Sequence, residues 1–440
     1  MHSKRRSATR VSRGLGDELS DGGVEESADG ADLRILVLHG RYRSEGPSGE
    51  NEVVDDEIKL LREHGCQVDQ VELSSDEIAT WPAWRKATLP ARVIWSPAGR
   101  RVLQRAIEKY RPNVLHIHNT FPLFSPAVFW EARKSGLGVV HTLHNFRPFC
   151  PAATFLRNGE ACEDCFGRFP LPAIQHGCYR GSRLATVPVA LMDGLHGRIG
   201  TWQKNVDRFI VVSGYERDKY VSAGWPADKI KVKFNTVWEA ENPPRRPGPA
   251  FLCMSRLSPE KGVEVLLEGW RRAFPDGDPP VRLTASGDLA DQLKAQYGGL
   301  PGVTFLGHVE RSVLRDELSR ARAVVVPSRC YEGFPRVVAE AYAASVPIIA
   351  SRVGSLAELV EDGVTGLQVA MGDPDDMARA LRRLADDEQL TARLGVGARE
   401  RFERLYSAEV TMGQLLQIYR EAIAARQAET GTPLSTSPTR

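Results

Sequence analysis

Short apolar runs alternate with helical patterns along most of this chain, and this alternation restricts the fold more than any other feature. The first run covers residues 34–40, and the helical pattern after it ends at Gly65. The next predicted strand covers residues 66–73. Repeated strand–helix–strand units predict a parallel sheet with helices on both faces. Strands buried on both faces are expected as continuous apolar runs, as they are here.

The alternation is interrupted at residues 241–249, a proline-rich stretch that predicts a linker. Further strands are predicted before it at 113–119, 138–145, 207–213 and 229–235, and after it at 251–255, 281–287, 303–307, 323–328, 347–351 and 366–370. We therefore predict an α/β protein with two doubly wound Rossmann-like domains that face a cleft. The predicted parts are an N-terminal domain at 32–240, a C-terminal domain at 250–407, a closing helix at 408–426 and disordered tails at 1–31 and 427–440.

Charge and hydropathy argue against two classes of protein. A net charge of +2 over 440 residues is far from the basic balance of a dedicated nucleic-acid-binding protein, so no nucleic acid partner is expected. No apolar stretch reaches the roughly 20 residues that cross a bilayer, and the best candidate contains Pro188 and Asp193. We expect a cytoplasmic protein, and the basic N-terminal tail allows peripheral contact at the inner face of the membrane.

Two glutamates follow the predicted strand at 323–328. Glu332 begins the sequence Glu-Gly-Phe-Pro, and Glu340 lies eight residues later in the predicted helix. Carboxylates accept hydrogen bonds from vicinal hydroxyls, so this pair suits the recognition of a sugar and a ribose. Glutamates at this spacing are also common as solvated helix charges, and their position at the end of a strand favours the binding interpretation.

A cationic pair, Arg256 and Lys261, follows the first strand of the second domain. Two cations in this position can hold a diphosphate and stabilise the charge that develops as it leaves. The alternative is a surface loop with ordinary charges.

Together these motifs resemble the family 4 retaining glycosyltransferases of the two-domain GT-B fold, over about residues 33–425. Residues 256–262 match the R-x-x-x-x-K-G segment of that family, and residues 332–340 match its signature of two glutamates separated by seven residues. The resemblance implies that Arg256 and Lys261 hold the donor diphosphate. It implies that Glu332, with the backbone at Gly333 and Phe334, binds the transferred sugar and that Glu340 binds the ribose.

The resemblance also suggests residues of the first domain. His118 lies where the family has a histidine beside the transferred sugar, and His144 with Asn145 is the weaker candidate on the acceptor side. The loop that contains Gly49 matches the family's glycine-rich loop, although a single glycine replaces the usual pair. Any single histidine can also be a structural residue.

The implied activity is transfer of a hexose from a nucleoside-diphosphate sugar to a hydroxyl of a glycan, glycolipid or lipid-linked acceptor, as in polysaccharide or glycoconjugate synthesis. The implied reaction retains the anomeric configuration and needs no catalytic metal. A non-catalytic subunit that binds a nucleotide-sugar or a glycan is the alternative from another functional class. A nucleotide-sugar epimerase and a phosphorylase are less favoured, because the first does not need these motifs and no pyridoxal lysine is evident.

Four cysteines fall within one insertion at about 150–178: Cys150, Cys162, Cys165 and Cys178. In a cytoplasmic protein, four thiols that include a C-x-x-C favour a structural zinc site over disulfides. His176 is an alternative fourth ligand. Reduced buried cysteines and an oxidised C-x-x-C pair remain the other interpretations. Some bacterial family members that act in surface-polysaccharide assembly have a similar insertion.

Overall fold

The computed structural model describes residues 30–42, 49–237, 243–284 and 286–431. Its strands are β1 (Arg34–Arg41), β2 (Gln67–Ser74), β3 (Val114–Asn119), β4 (Gly138–Leu143), β5 (Leu156–Arg157), β6 (Glu160–Ala161), β7 (Arg208–Val211), β8 (Ile230–Val232), β9 (Phe251–Cys253), β10 (Val281–Leu283), β11 (Val303–Phe305), β12 (Ala323–Val326), β13 (Ile348–Ser351) and β14 (Gly366–Val369).

The helices separate these strands along the chain. In the N-terminal half they are Gly49–Glu63, Glu77–Thr80, Ala83–Ala87, Leu89–Ile94, Pro97–Tyr110, Ala127–Lys134, Leu171–His176, Arg183–Ile199, Thr201–Asn205 and Gly214–Ser222. In the C-terminal half they are Val263–Ala273, Ala290–Tyr297, Arg311–Arg320, Arg336–Ala343, Leu356–Leu359, Pro374–Asp386, Glu388–Leu405 and Ala408–Thr430. Short 3₁₀ turns lie at Ala227–Lys229 and Pro259–Lys261.

The first six-stranded sheet has the order β2-β1-β3-β4-β7-β8, and its strands pair in parallel. Every residue of β3 and β4 is buried, and their polar side chains bond to internal partners, as His116 does to Thr142. The strand order reverses at β1 and β3, so their carboxyl ends open the crevice where ligands of such sheets bind.

The second sheet repeats this design with the order β11-β10-β9-β12-β13-β14, again in parallel. Its reversal lies between β9 and β12, and the two predicted donor motifs follow these two strands. The predicted fold class, two Rossmann-like sheets with helices on both faces, is confirmed.

The last helix returns from the second domain to the first. Its buried residues Met412, Leu416 and Tyr419 share one hydrophobic core with Ile35 and Val140 of the N-terminal sheet. It spans Ala408–Thr430, four residues beyond the predicted end at 426. Ion pairs hold this last turn, because Glu429 pairs with both Arg133 and Arg426, and Gly431 in the left-handed conformation ends the helix.

Parts of the predicted tails and linker lie outside the described residues: positions 1–29, 238–242 and 432–440. The amide of Gly30, the first described residue, donates to the His64 carbonyl. Among the described helices, none combines the length and apolar character needed to cross a membrane.

Candidate functional site

The loop after β9 carries the predicted cationic pair. Arg256 is largely exposed and contacts Glu260 at 3.2 Å. Lys261 ends a 3₁₀ turn, and Gly262 follows it with φ of 62°. A Cβ at Gly262 would lie 2.3 Å from the Pro327 carbonyl oxygen, so only glycine allows this loop to lie against the end of β12.

Lys261 and Glu332 meet at the crevice of the second sheet. The Lys261 ammonium lies 2.6 Å from the Glu332 carboxylate, and the Ser328 hydroxyl donates to the other Glu332 oxygen. Burial alone would lower the pKa of Lys261, but the negative charge of Glu332 more than offsets that effect and raises it. The two predicted motifs, 71 residues apart, therefore form one charged pair at the strand ends.

Gly333 and Phe334 connect Glu332 to the rest of the molecule. A Cβ at Gly333 would lie 3.0 Å from a Val212 side-chain carbon and 3.2 Å from the His144 carbonyl oxygen, so the glycine permits close approach of the two domains. The ring of Phe334 is buried against Phe234 and Tyr406, which leaves its backbone as the part able to contact a ligand.

Glu340 also lies near the domain boundary. The Arg336 side chain is 3.4 Å from Glu340 and 3.0 Å from Asp56, on the first helix of the other domain. Gly49 begins that helix, and a Cβ there would lie 3.9 Å from the Arg336 side chain. The structure therefore brings Glu340 and Gly49 next to one arginine, Arg336, that the sequence did not single out. Residues 43–48 of the predicted glycine-rich loop lie outside the described part.

The two candidate histidines are neighbours, with His118 Nδ1 3.0 Å from His144 Nε2. His118 is the deeper one, only 4 % exposed, whereas the carbonyl of His144 adjoins Gly333. Burial and the nearby His116 lower the pKa of His118 to about 3, and desolvation together with His118 lowers that of His144 well below its usual value. Both rings are therefore neutral near pH 7, and the backbone of His144 lies close to the Glu332 motif through Gly333.

A buried cluster of ionisable side chains lies next to His118. Glu57, His116 and His118 place their ligand atoms within 4.8 Å of one another, a spacing that a metal ion could use. However, the Lys233 ammonium already lies 2.7 Å from Glu57, and His116 also contacts Tyr419 at 2.7 Å. Although burial raises the pKa of Glu57, Lys233 and His116 lower it well below its usual value. Because Lys233 neutralises this carboxylate, we interpret the cluster as a structural hydrogen-bond network.

Asn145 shapes the turn that follows β4. Its side-chain oxygen accepts from the Arg147 amide at 3.0 Å, and its carbonyl accepts from the Tyr220 hydroxyl at 3.0 Å. The turn leads into a cavity lined by Asn145, Arg147 and both candidate histidines.

The cysteine insertion follows this turn. Its four predicted cysteines all line one small cavity, whereas His176 is exposed at the end of its helix. A tight hairpin brings them together, because Asn158 and Gly159 both have positive φ, as a two-residue turn requires. Among the described residues, the candidate metal ligands that lie within 4.8 Å of one another are Glu57, His116 and His118. The four cysteine sulfur atoms do not form such a group. Zinc binding by the cysteines stays a prediction.

Metal analysis tests that prediction directly. We expect about one equivalent of zinc in the purified protein, since a four-thiolate set is a common structural zinc site. A Cys162→Ser, Cys165→Ser double variant should lose it, and a Cys66→Ser variant, which changes a buried cysteine outside the insertion, should keep it. A small fraction of an equivalent in the wild-type protein would contradict the prediction.

Two family models match the chain. The model described as Glycosyltransferase Family 4 matches residues 47–237, and the model described as Glycosyl transferases group 1 matches residues 248–387. A D-inositol 3-phosphate glycosyltransferase from Saccharomonospora viridis is 32 % identical over 331 residues, which cover 70 % of each chain. The chain belongs to glycosyltransferase family 4.

Other relatives of this family 4 member are named for different activities. A phosphatidyl-myo-inositol mannosyltransferase from Mycolicibacterium smegmatis is 32 % identical over 69 % of this chain and 77 % of its own. A glycogen synthase from Mycobacterium tuberculosis is 31 % identical over 59 % of this chain. The chain spans only 64 % of the length of that glycogen synthase.

Solved structures agree with the fold of this family 4 member. Sucrose-phosphate synthase from Thermosynechococcus elongatus superposes with a TM-score of 0.67 at 21 % identity, covering 89 % of this chain and 100 % of that one. Anabaena HepE in complex with UDP and glucose gives a TM-score of 0.60 at 17 % identity, covering 88 % and 98 %. These matches establish the GT-B architecture.

Several site residues of this family 4 member escaped the sequence analysis. Arg336 had a usable signal, since it lies four residues before Glu340 and therefore on the same helix face. Ser328 and Arg147 had none, because single polar residues in loops are common.

Proposed function

We propose that this protein transfers a sugar from a nucleoside-diphosphate sugar to a hydroxyl acceptor, with retention of the anomeric configuration. The observation that carries the proposal is the Lys261–Glu332 pair at the crevice of the second sheet, with Arg256 exposed beside it. A diphosphate that enters this crevice can replace Glu332 as the counter-charge of Lys261. The freed carboxylate can then accept hydrogen bonds from sugar hydroxyls.

Each predicted donor residue has a separate role in this proposal. Arg256 and Lys261 neutralise the diphosphate and the charge that grows on it as the sugar leaves. Glu332 and the backbone at Gly333 and Phe334 orient the sugar. Glu340 binds the ribose hydroxyls, and its contact with Arg336 fixes the orientation of the Glu340 carboxylate.

On the acceptor side we assign His144 rather than His118 to the transferred sugar. Support comes from the approach of Gly333 to the His144 carbonyl, whereas His118 is turned towards Glu57, 3.4 Å away. His118 then positions His144 through their 3.0 Å contact. The departing phosphate oxygen accepts the proton of the attacking hydroxyl on the same face of the sugar, so no protein carboxylate forms a covalent intermediate. The enzyme contributes orientation and charge neutralisation.

The relatives support a sugar transfer but differ in what they act on. One is named for glycogen, another for inositol phosphate and a third for phosphatidyl-myo-inositol. HepE has been solved with UDP and glucose, which supports a nucleoside-diphosphate sugar as donor here. As part of the proposal, the acceptor is a glycan, a glycolipid or a lipid-linked molecule.

A panel of nucleoside-diphosphate sugars tests the proposal. We expect one of them to release its nucleoside diphosphate slowly with water and faster when an acceptor is added. Binding without release would favour the alternative, a subunit that holds a nucleotide-sugar or glycan without catalysis. If the protein neither binds nor cleaves any member of the panel, the proposal is wrong.

We also propose peripheral membrane contact through one face of the helix Arg183–Ile199. Leu184, Leu191 and Leu195 lie seven and four residues apart, so they share a face, and they are 85 %, 40 % and 47 % exposed. From residue 166 to 204 the chain has five arginines and lysines, and its one acidic side chain, Asp193, is buried. Exposed leucines within a basic segment suit an anionic bilayer surface.

Sedimentation with vesicles measures this contact. The protein is expected to bind phosphatidylcholine vesicles that contain phosphatidylglycerol and to bind pure phosphatidylcholine more weakly. A Leu184→Ser, Leu191→Ser, Leu195→Ser variant should lose most binding, and Arg404→Glu, an exposed arginine of the other domain, should keep it. Failure of the wild-type protein to sediment with either vesicle would overturn the membrane proposal alone.

A further inference from the structure

The cysteine insertion touches the second domain at the loop that follows β12. We call this segment, residues 327–332, the β12 loop. A Cβ at Gly159, in the turn of the β5–β6 hairpin, would lie 3.1 Å from a guanidinium nitrogen of Arg329. The ring of Phe155, just before that hairpin, lies 5.8 Å from the ring of Tyr331 at an interplanar angle of 67°. Two residues of the β12 loop therefore contact the insertion.

Phe155 has an unusual backbone conformation for a large residue. Its φ is 48°, in the left-handed region that glycine and asparagine adopt more readily. Its side chain is nonetheless 1 % exposed and packs on Phe146 and Phe166 as well as on Tyr331. The turn alone would favour glycine at this position, so the packing of the ring is what maintains the strained conformation.

The turn that contains Phe155 is tied to the first cysteine of the insertion. Burial raises the pKa of the Cys150 thiol, and hydrogen bonds from the backbone amides of residues 152–155 oppose that rise. Cys150 and Phe155 also line the same small cavity as the other three cysteines of the insertion. The position of the Phe155 ring and the packing around the cysteines are therefore parts of one local structure.

Tyr331 is surrounded by side chains of the first domain. Besides Phe155, the ring of Tyr215 lies 5.5 Å from the Tyr331 ring, and the Lys219 ammonium lies 5.6 Å from its centre. Lys219 is fixed in turn by Glu163 of the insertion, 2.6 Å away. A residue of the second domain is thus held in place by the insertion and by the helix Gly214–Ser222.

The β12 loop connects this contact to the donor motifs. Tyr331 immediately precedes Glu332, whose carboxylate lies 2.6 Å from the Lys261 ammonium. The amide of Arg329 donates to the Glu260 carbonyl at 2.9 Å, one residue before Lys261. A displacement of the Tyr331 ring would therefore move the carboxylate that is assigned to the transferred sugar.

We propose that the cysteine insertion is a platform that positions the β12 loop, with Phe155 and Tyr331 as positioning residues for Glu332. Both act through the backbone before Glu332, which their contact holds in the orientation that the sugar requires. The insertion therefore acts on the donor side of the cleft, although it belongs to the acceptor-side domain. The role of Glu332 rests on the proposed function, whereas the docking of the β12 loop on the insertion can be tested without a donor.

Hydrogen–deuterium exchange of the full-length protein measures this docking. Phe155→Gly removes the ring and relieves the backbone strain, so the turn can keep its conformation. In this variant, peptides that cover residues 328–334 are expected to exchange about fivefold faster or more, the size of effect of one aromatic pair. Phe149→Ala removes another ring of the same core, which contacts Tyr220 and Trp225, and should leave the exchange of residues 328–334 unchanged.

Tyr331→Ala removes the contact from the other side, so the docking stays testable if Phe155→Gly does not fold. It should accelerate exchange as Phe155→Gly does, and Tyr331→Phe, which keeps the ring, should retain most of the protection. With the donor that the panel identifies, Phe155→Gly and Tyr331→Ala should each lower kcat/KM about fivefold or more. Binding of the nucleoside diphosphate should change less than about twofold, because Lys261 and Arg256 are retained.

Three results would contradict the platform. Unchanged exchange of residues 328–334 in Phe155→Gly and Tyr331→Ala would show that the insertion does not hold the loop. Equal acceleration in Phe149→Ala would attribute the effect to a general loss of packing. Faster exchange with wild-type kcat/KM would remove the positioning role. If the wild-type protein cleaves no member of the panel, the proposed function is wrong, and the exchange measurements still decide whether the insertion holds the loop.

Discussion

Replacing Lys261 with alanine is expected to lower the rate of sugar transfer by about 10²–10³-fold, the usual effect of removing one donor to a developing oxyanion. The ammonium is half-buried at the crevice, 2.6 Å from Glu332. In the proposed reaction it faces the phosphate oxygen on which charge grows as the sugar departs. Its loss should therefore affect kcat strongly. The measurement is initial-rate kinetics with the donor that the panel identifies.

The controls separate the loss of charge from general damage. Lys294→Ala removes an exposed lysine of the same domain and should leave the rate unchanged. Arg256→Ala removes a cation that is largely exposed, so it should raise the donor KM more than it lowers kcat. If Lys261→Ala transfers sugar at the wild-type rate, Lys261 has no role in catalysis.

The second large effect concerns stability. Replacing Arg426 with leucine is expected to lower the free energy of unfolding by about 3 kcal/mol, the lower end of the effect of breaking a buried ion pair, because the buried Asp207 carboxylate then keeps only Arg133, 3.7 Å away, as a cation. Arg426 and Asp207 are 2 % and 4 % exposed and lie 2.8 Å apart. Arg426 also donates to the Leu137 carbonyl at 3.2 Å, so one side chain joins the last helix to two points of the N-terminal domain. Urea unfolding at neutral pH measures the change.

A matched variant on the same helix is available. Arg420 pairs with Asp32 at 3.2 Å, but both side chains are well exposed, so Arg420→Leu should cost no more than about 1 kcal/mol. A double variant, Arg426→Leu with Asp207→Asn, should recover part of the lost stability, because the charge left unpaired is then removed. Equal effects of Arg426→Leu and Arg420→Leu would contradict the buried-pair account.

The fold could be predicted from the sequence because parallel strands are buried on both faces. Strands β12 and β13 contain no exposed residue, so their sequences are short, mainly apolar runs that differ clearly from the helical patterns around them. The donor loops could be located for a related reason, since functional residues in such sheets follow the strand ends. The end of the last helix was missed by four residues because Glu429, a polar residue near the terminus, is held by an ion pair to Arg133, which is far away in the chain.

Contacts across the cleft could not be predicted. The sequence favoured His118 over His144, but the close approach of Gly333 to His144 depends on how the two domains face each other. Arg336 is another example, because its partner Asp56 is 280 positions away in the chain. The spacing of residues within one strand or helix carries no information about such pairs.

A structure with a nucleoside diphosphate bound is the most direct test of the donor site. We expect a phosphate oxygen within hydrogen-bond distance of Lys261 Nζ and a longer distance between Lys261 and Glu332. We also expect the ribose hydroxyls to bond to Glu340. A nucleotide bound elsewhere, with Lys261 and Glu332 still paired at 2.6 Å, would contradict the proposed donor site.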